Sequence, residues 1–302
     1  MASRKMHADE LDTDVSLVRR LVATQFPRWA DLPIERVLSS GTVNAIYRLG
    51  QDMAVRLPRR RAAWAIDDLD TELRWLPKLA PHLPLAIPVP LAIGHPGAGY
   101  ARHWSIYTWL EGEKATIDRI GDLREAAADL ARFVVALQKI DAADGRRPRP
   151  GGRGRPLAER NRAVRAAIDA LGQLVDPHAV TAVWEAGLRV PGWQGPPVWF
   201  HGDLYSENLL AVRCRLSAVI DFGCLGVGDP ACDLIAAWAL FTGESREVFR
   251  TILSVDEATW ARGRGWALSW ALIVFPYYLD TNPILVSLSR HVIDEVLADV
   301  FS

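Results

Sequence analysis

The hydrophobic periodicity of this 302-residue chain changes near Leu110. Apolar and polar residues alternate, as expected for strands, in segments 34–39, 44–49, 53–57, 91–94 and 103–110. Helical spacing is found in segments 11–26, 67–80, 122–140, 157–171 and 177–188 and in the chain from 231 onwards, with short strands at 198–201 and 216–221. We therefore expect an α+β chain in two parts. Residues 1–108 would form a small antiparallel sheet with one internal helix, and residues 109–302 a larger, mostly helical part.

Composition excludes several classes of protein. The chain carries 35 basic and 36 acidic side chains and is 50% hydrophobic, which argues against a nucleic-acid binder and against disorder. Cys214, Cys224 and Cys232 lack metal-ligand spacing and are predicted to be buried thiols in a reducing compartment. The first residues have no apolar core typical of a signal peptide, and no run is long enough to span a membrane. We expect a cytoplasmic protein.

Three polar residues each end an apolar run. Asp203 is followed five residues later by Asn208, and Asp221 stands 18 residues after Asp203. Asp and Asn are common in turns, so each residue alone could be a turn residue. Two carboxylates and an amide brought to one place would instead suit Mg²⁺, which binds few carboxylates together with substrate phosphates.

The order of these residues resembles a known family. His201-Gly-Asp203 with Asn208, followed by Ile220-Asp-Phe-Gly223, resembles the aminoglycoside phosphotransferase family of protein-kinase-like enzymes. Weaker similarities lie at 41–50, 55–58, 109–113 and 228–234. The resemblance implies a two-lobed protein-kinase-like fold with an N-terminal nucleotide-binding lobe, 1–108, and a C-terminal catalytic and substrate-binding lobe, 109–302.

The resemblance also implies roles in the helical part. Asp203 would be the catalytic base that orients the acceptor hydroxyl and takes its proton, and Asn208 and Asp221 would hold Mg²⁺. His201, placed with Asp203 in the catalytic set, would fix the loop by hydrogen bonds. Asp233 would brace the same loop or carry charge at a helix N-terminus.

A second group of residues would bind the nucleotide, ATP or GTP. Residues Ser40, Gly41 and Thr42 would cover the phosphates. Arg56 stands where the family has a lysine, and it would pair with phosphate and with Glu72; alternatively, Arg56 faces solvent and Glu72 is an ordinary helix residue. The backbone of Thr108, Trp109 and Leu110 would face the adenine.

The expected reaction is γ-phosphoryl transfer from a nucleoside triphosphate to a hydroxyl of a small molecule, by resemblance an aminoglycoside. A macrolide, a choline-like amino alcohol or a sugar is the alternative acceptor, and a non-catalytic nucleotide-binding regulator the alternative function. Residues 146–165 hold eight arginines and one acid, while the rest of 111–302 carries 13 basic and 24 acidic side chains, which favours a cationic acceptor. The arginine-rich segment is predicted to be a solvated loop and helix face, with a polyanion-binding patch as the alternative. We expect a monomer or weak homodimer.

Overall fold

The computed structural model describes residues 11–37, 43–59 and 64–301. The chain divides into two compact units. Unit 1 is the described part of Met1–Pro81 together with Ala86–Glu111, and unit 2 is His82–Leu85 with the described part of Gly112–Ser302. Unit 1 contains an antiparallel sheet and unit 2 is mostly helical, which confirms the predicted fold class.

Unit 1 is built around a five-stranded sheet. Its elements are α1 (Val15–Gln25), β1 (Ile34–Val37), β2 (Asn44–Leu49), β3 (Met53–Pro58), α2 (Trp64–Leu79), β4 (Pro90–Gly94) and β5 (Trp104–Thr108). The strands pair antiparallel in the order β1-β2-β3-β5-β4. Helix α1 begins where Asp14 accepts a hydrogen bond from the Leu17 N–H at 2.6 Å.

The alternation along β2 and β3 explains which face of the sheet is buried. Ala45, Tyr47 and Leu49 point into one core, and Val55 and Leu57 join them from β3. Trp104 is completely buried in this core. A Cβ on Gly94 would lie 1.9 Å from the Trp104 ring, so the indole fits only because residue 94 has no side chain.

Unit 2 combines helices with two small sheets. Its elements are β6 (Glu113–Lys114), α3 (Leu123–Lys139), α4 (Asn161–Leu171), α5 (Pro177–Arg189), β7 (Val198–Phe200), β8 (Leu209–Val212), β9 (Arg215–Val219), β10 (Gly226–Gly228), α6 (Ala236–Ala239), α7 (Gly243–Leu253), α8 (Glu257–Tyr278) and α9 (Pro283–Phe301). One sheet has the order β6-β8-β9 and the other pairs β7 with β10, all antiparallel. The three shortest strands, β6, β7 and β10, lie next to the segments that carry His201, Asp203, Asn208 and Asp221.

Side-chain caps fix where four of the helices of unit 2 begin. Asp122, Asp176 and Asp256 accept hydrogen bonds from the first turns of α3, α5 and α8, and Thr242 forms a capping box at α7. Within the described residues, no helix combines the length and apolar character that a membrane span requires.

The prediction of buried thiols is correct for one cysteine only. Cys232 is buried, whereas Cys214 and Cys224 are exposed. Cys214 lies in the tight turn between β8 and β9 with a positive φ of 63°, and Cys224 follows the Asp221-Phe-Gly segment. Short turns lie at the surface, and neither turn buries its thiol.

Candidate functional site

The segment that follows β7 is held by a buried carboxylate. The Asp233 Oδ2 accepts the N–H of His201 at 2.9 Å and its Oδ1 accepts the N–H of Gly202 at 2.6 Å. Asp233 has no exposed surface, and burial raises its pKa to about 7 despite these two hydrogen bonds. Asp233 therefore fixes the backbone immediately before Asp203.

His201 connects this segment to the one that carries Asp221. Its Nδ1 accepts the Asp203 N–H at 3.2 Å, and its Nε2 lies 3.1 Å from the Ile220 carbonyl oxygen. An acceptor at one nitrogen and a donor at the other define a neutral ring with the proton on Nε2. Burial lowers the pKa of His201 to about 4, so the ring stays neutral at physiological pH. The contacts of His201 are those of a loop-fixing residue.

Asp203 and Asn208 lie in hydrogen-bond contact. The Asn208 Nδ2 donates to the Asp203 carbonyl at 2.9 Å and to the Asp203 Oδ2 at 3.2 Å. These bonds fix the amide orientation and leave the Asn208 Oδ1 as the amide atom able to ligate a cation. The Ile220 N–H also donates to the Asn208 carbonyl at 2.9 Å, which joins the loop to the Asp221 segment.

Asp221 occupies a left-handed backbone conformation, with φ 63° and ψ 72°, directly after the strand segment. The pKa of Asp203 is raised, mainly by burial and also by the Asp221 charge, although the Arg153 charge lowers it in part. In the described part of the chain, no three His, Cys, Asp or Glu side chains form a metal-binding cluster. One carboxylate and one amide fit Mg²⁺ when substrate phosphates supply further ligands.

Arg153, which was predicted to lie in a solvated loop, contacts Asp203. The Arg153 Nη2 lies 3.2 Å from the Asp203 Oδ1, and the two side chains are only 13% and 20% exposed. Arg160 is also half-buried, and its guanidinium has partners within the protein: its Nε donates to Ser269 and its Nη1 donates to the Gly151 carbonyl. The prediction of a solvated segment is therefore wrong for Arg153 and Arg160, although Arg155 pairs with Glu159 at the surface as expected.

A lysine overlooked in the sequence supports the same loop. Lys114, the last residue of β6, donates to the carbonyl of Glu207, next to Asn208. Burial lowers the pKa of Lys114, while the charges of Glu207 and Asp221 raise it. Pairing of β6 with β8 could have indicated this contact, but a two-residue strand leaves no periodic signal.

Within unit 1, Arg56 is a paired residue and not a solvent-facing one. Its Nη1 lies 2.9 Å and 2.7 Å from the two carboxylate oxygens of Glu72, which is 1% exposed. Tyr107 donates to the Glu72 Oε2 at 2.6 Å, and in its hydrogen-bonding orientation the Asn44 amide oxygen accepts from the Arg56 Nε and Nη2. The guanidinium is therefore held at one fixed place beside β3.

Two of the three N–H groups in the predicted base-binding segment already have partners. The Thr108 N–H donates to the Val89 carbonyl at 2.9 Å and the Trp109 N–H donates to the Asp52 carbonyl at 2.7 Å. Leu110 is thus the member of the trio whose N–H is not engaged by the described residues. The remaining nucleotide-binding predictions, Ser40, Gly41 and Thr42, lie outside the described residues.

Unit 1 contains a sheet and a cation, Arg56, that is paired with a carboxylate. Unit 2 is mostly helical and carries Asp203, Asn208 and Asp221. These features are typical of a kinase-like phosphotransferase. A family model described as "Phosphotransferase enzyme family" matches residues 35–266. The chain belongs to this phosphotransferase family.

Solved structures show the same fold at low sequence identity. The GDP and kanamycin complex of APH(2″)-IIIa is 20% identical over 93% of this chain and 98% of that chain, with a TM-score of 0.73. The GDP complex of wild-type aminoglycoside 2′-phosphotransferase-IIIa is 18% identical over 96% and 100%, with a TM-score of 0.74. The macrolide 2′-phosphotransferase MphH apoenzyme from Brachybacterium faecium is 23% identical over 93% and 98%, with a TM-score of 0.61. No curated protein sequence matches the chain.

Proposed function

We propose that this protein transfers the γ-phosphoryl group of ATP or GTP to a hydroxyl group of a small molecule, and that the acceptor is an aminoglycoside. The observation that carries the proposal is the hydrogen-bonded pair of Asp203 and Asn208, on a loop whose backbone is fixed by Asp233 and His201. Such rigidity is what phosphoryl transfer requires, because the reaction depends mainly on positioning and charge neutralisation.

In the proposed reaction, Asp203 orients the acceptor hydroxyl. The hydroxyl oxygen forms a bond to the γ-phosphorus as the bond from that phosphorus to the β–γ bridging oxygen breaks, and the nucleoside diphosphate leaves. The hydroxyl proton passes to a carboxylate oxygen of Asp203. Asn208 and Asp221 would hold Mg²⁺, which neutralises charge on the phosphate oxygens when bound.

We assign nucleotide binding to unit 1. Arg56, held by Glu72 and Asn44, would present its guanidinium to a phosphate, since arginine pairs well with both phosphate and carboxylate oxygens. The Leu110 N–H would donate to the base.

The acceptor class is supported by charge and by similarity. Outside the arginine-rich segment, residues 111–302 carry 24 acidic and 13 basic side chains, a balance that would attract a polycation. Structures of the same fold include one with kanamycin and one with gentamicin. A second candidate, a less charged acceptor such as a macrolide, is favoured by Arg153, because its cation already offsets the negative charge of Asp203.

Nucleotide consumption tests the proposal. ATP and GTP are each incubated with the protein, Mg²⁺ and single members of a panel: kanamycin, gentamicin, erythromycin, choline and glucose. Acceptor-dependent production of nucleoside diphosphate, abolished by chelation and by Asp203→Ala, is the expected result. Nucleotide binding without turnover on the whole panel would support the regulator instead, and turnover with erythromycin alone would select the second candidate.

A further inference from the structure

Arg153 packs against both the backbone and the side chain of the catalytic segment. A Cβ on Gly202 would lie 3.1 Å from the Arg153 Cβ and Cγ, and Gly202 has a φ of +85°. The stem of the arginine therefore lies on residue 202 while its Nη2 reaches the Asp203 Oδ1 at 3.2 Å. The guanidinium also lies 5.7 Å from the ring of Trp266, which has no exposed surface.

The loop that carries Arg153 is attached to the strand pair that leads into this segment. The carbonyl of Arg146 accepts the Val227 N–H at 3.0 Å, and the carbonyl of Gly154 accepts the Asp229 N–H at 2.9 Å. These donors lie in or beside β10, which pairs with β7, the strand that ends one residue before His201. The arginine and the carboxylate are thus positioned by one hydrogen-bonded framework.

Close packing restricts movement of this loop. A Cβ on Gly154 would lie 2.1 Å from the Phe200 ring, and a Cβ on Gly228 would lie 2.4 Å from the Gly154 carbonyl oxygen. On the other side, the Arg160 Nη1 donates to the Gly151 carbonyl at 2.9 Å. Backbone contacts on both sides therefore set the position of Arg153.

The Asp203 carboxylate is held at both of its oxygens. Arg153 contacts Oδ1, and the Asn208 Nδ2 donates to Oδ2 at 3.2 Å. Two donors on different oxygens permit one orientation of the carboxylate plane. We infer that Arg153 is a positioning residue for Asp203, which holds the carboxylate in the orientation needed to receive the acceptor hydroxyl. This inference rests on the proposed role of Asp203 and adds a residue to that site.

The same arginine is poorly suited to a purely structural role. Its Nη1 is buried and has no hydrogen-bond partner among the described residues. A buried donor without a partner costs free energy, and joint replacement of both partners of a buried ion pair by apolar residues often costs no stability. The arrangement therefore favours function over stability at the residue next to the proposed base.

Three variants test the inference, with Arg155→Gln as the matched control because Arg155 lies on the same segment and pairs with Glu159 at the surface. Turnover is measured with the nucleotide and the best acceptor of the panel above, or as slow hydrolysis of the nucleotide by water if no acceptor is used. We expect Arg153→Met and Arg153→Gln to lower kcat about 10- to 100-fold, because small misplacements of a reacting group have effects of this size. The nucleotide KM should stay near wild type, and the thermal unfolding midpoint is measured to show that each variant is folded at the assay temperature. Arg153→Lys should recover most of the rate, since a single N···O contact joins the pair.

A double-mutant cycle separates positioning from other roles. Arg153→Gln should cause no further loss in an Asp203→Asn background, since the arginine acts through that carboxylate. Equal losses in both backgrounds, an unchanged kcat in Arg153→Gln, or a faster Arg153→Gln enzyme would each overturn the inference. If both neutral variants fail to fold, an Arg153→Lys enzyme that folds but is as slow as Asp203→Asn would also overturn it. Failure of the proposed function has a different signature, namely an Asp203→Asn variant as active as wild type.

Discussion

Removal of the Asp233 carboxylate should loosen the catalytic loop and destabilise the protein. Asp233 is completely buried and accepts the N–H groups of His201 and Gly202 at 2.9 Å and 2.6 Å. Asp233→Ala leaves both donors buried without partners. Each hydrogen bond to a charged group contributes about 1.5–3 kcal/mol, but ionisation of a buried carboxylate opposes part of this gain, so we expect a net loss of about 3 kcal/mol.

The loss should depend on pH in a defined direction. The pKa of Asp233 is raised by burial to about 7, well above its ordinary value, so the folded protein binds a proton that the unfolded chain has released. The contribution of Asp233 to stability therefore falls as the pH rises toward and through about 7. For a folded-state pKa near 7, this effect amounts to about 1.4 kcal/mol between pH 6 and pH 8. The variant lacks the group, so its disadvantage should shrink by the same amount over that range.

Urea unfolding at pH 6, 7 and 8 measures these differences directly. Asp169→Ala serves as the control, because Asp169 lies exposed on α4. A loss below about 1 kcal/mol for Asp233→Ala, equal to that of the control, would refute the bracing role. A large loss that stays constant from pH 6 to pH 8 would refute the raised pKa.

Three further perturbations have expected outcomes. Gly94→Ala should destabilise the protein by about 1–3 kcal/mol in urea unfolding, because its Cβ would overlap the Trp104 ring. Glu72→Gln should raise the nucleotide KM about tenfold, or about 1.4 kcal/mol, with a smaller change in kcat, because Arg56 loses the charge that holds it. His201→Asn should gain about 2 kcal/mol of stability relative to wild type as the pH drops from 7 to 5, because burial holds the pKa of His201 at about 4; this contribution of His201 opposes that of Asp233 over the same range.

Each of these perturbations has a control or a contrary result. Gly192→Ala should be harmless, since nothing lies within 4 Å of a Cβ at that position. Glu35→Gln removes an exposed carboxylate from β1 and should leave the nucleotide KM unchanged; an equal rise in both variants would contradict a specific role for Glu72. A stability difference between His201→Asn and wild type that is the same at pH 5 and at pH 7 would contradict the lowered pKa of His201.

Local sequence patterns predicted the strands and helices that are long enough to show a repeating hydrophobic pattern. The alternation at 44–49 and 53–57 matches β2 and β3 within one residue, and the helical spacing at 122–140 matches α3 within one residue at each end. In the same way, the five-residue spacing of Asp203 and Asn208 could be read from the chain, because it depends on one loop. Their contact is local in sequence.

The parts of the site that depend on distant residues could not be predicted. Arg153 meets Asp203 across 50 residues of chain, and its surroundings of Gly, Pro and Arg are typical of a solvated loop. Strand β10 is a Gly-Val-Gly segment with no alternation, so only its pairing with β7 defines it. Gly154 is required by the close approach of the Phe200 ring, and Gly228 by the close approach of the Gly154 backbone; a single sequence reveals neither contact.

The most direct test of the central assignment is single-turnover phosphoryl transfer by Asp203→Asn, with nucleotide binding measured alongside. Asparagine keeps the shape and the contact with Asn208 but cannot accept the hydroxyl proton. The proposed role of Asp203 predicts a rate reduced by about 10²–10⁴-fold, the usual contribution of a general base, with the nucleotide Kd within about twofold of wild type. A variant that transfers phosphate at the wild-type rate would contradict the assignment of Asp203 as the base.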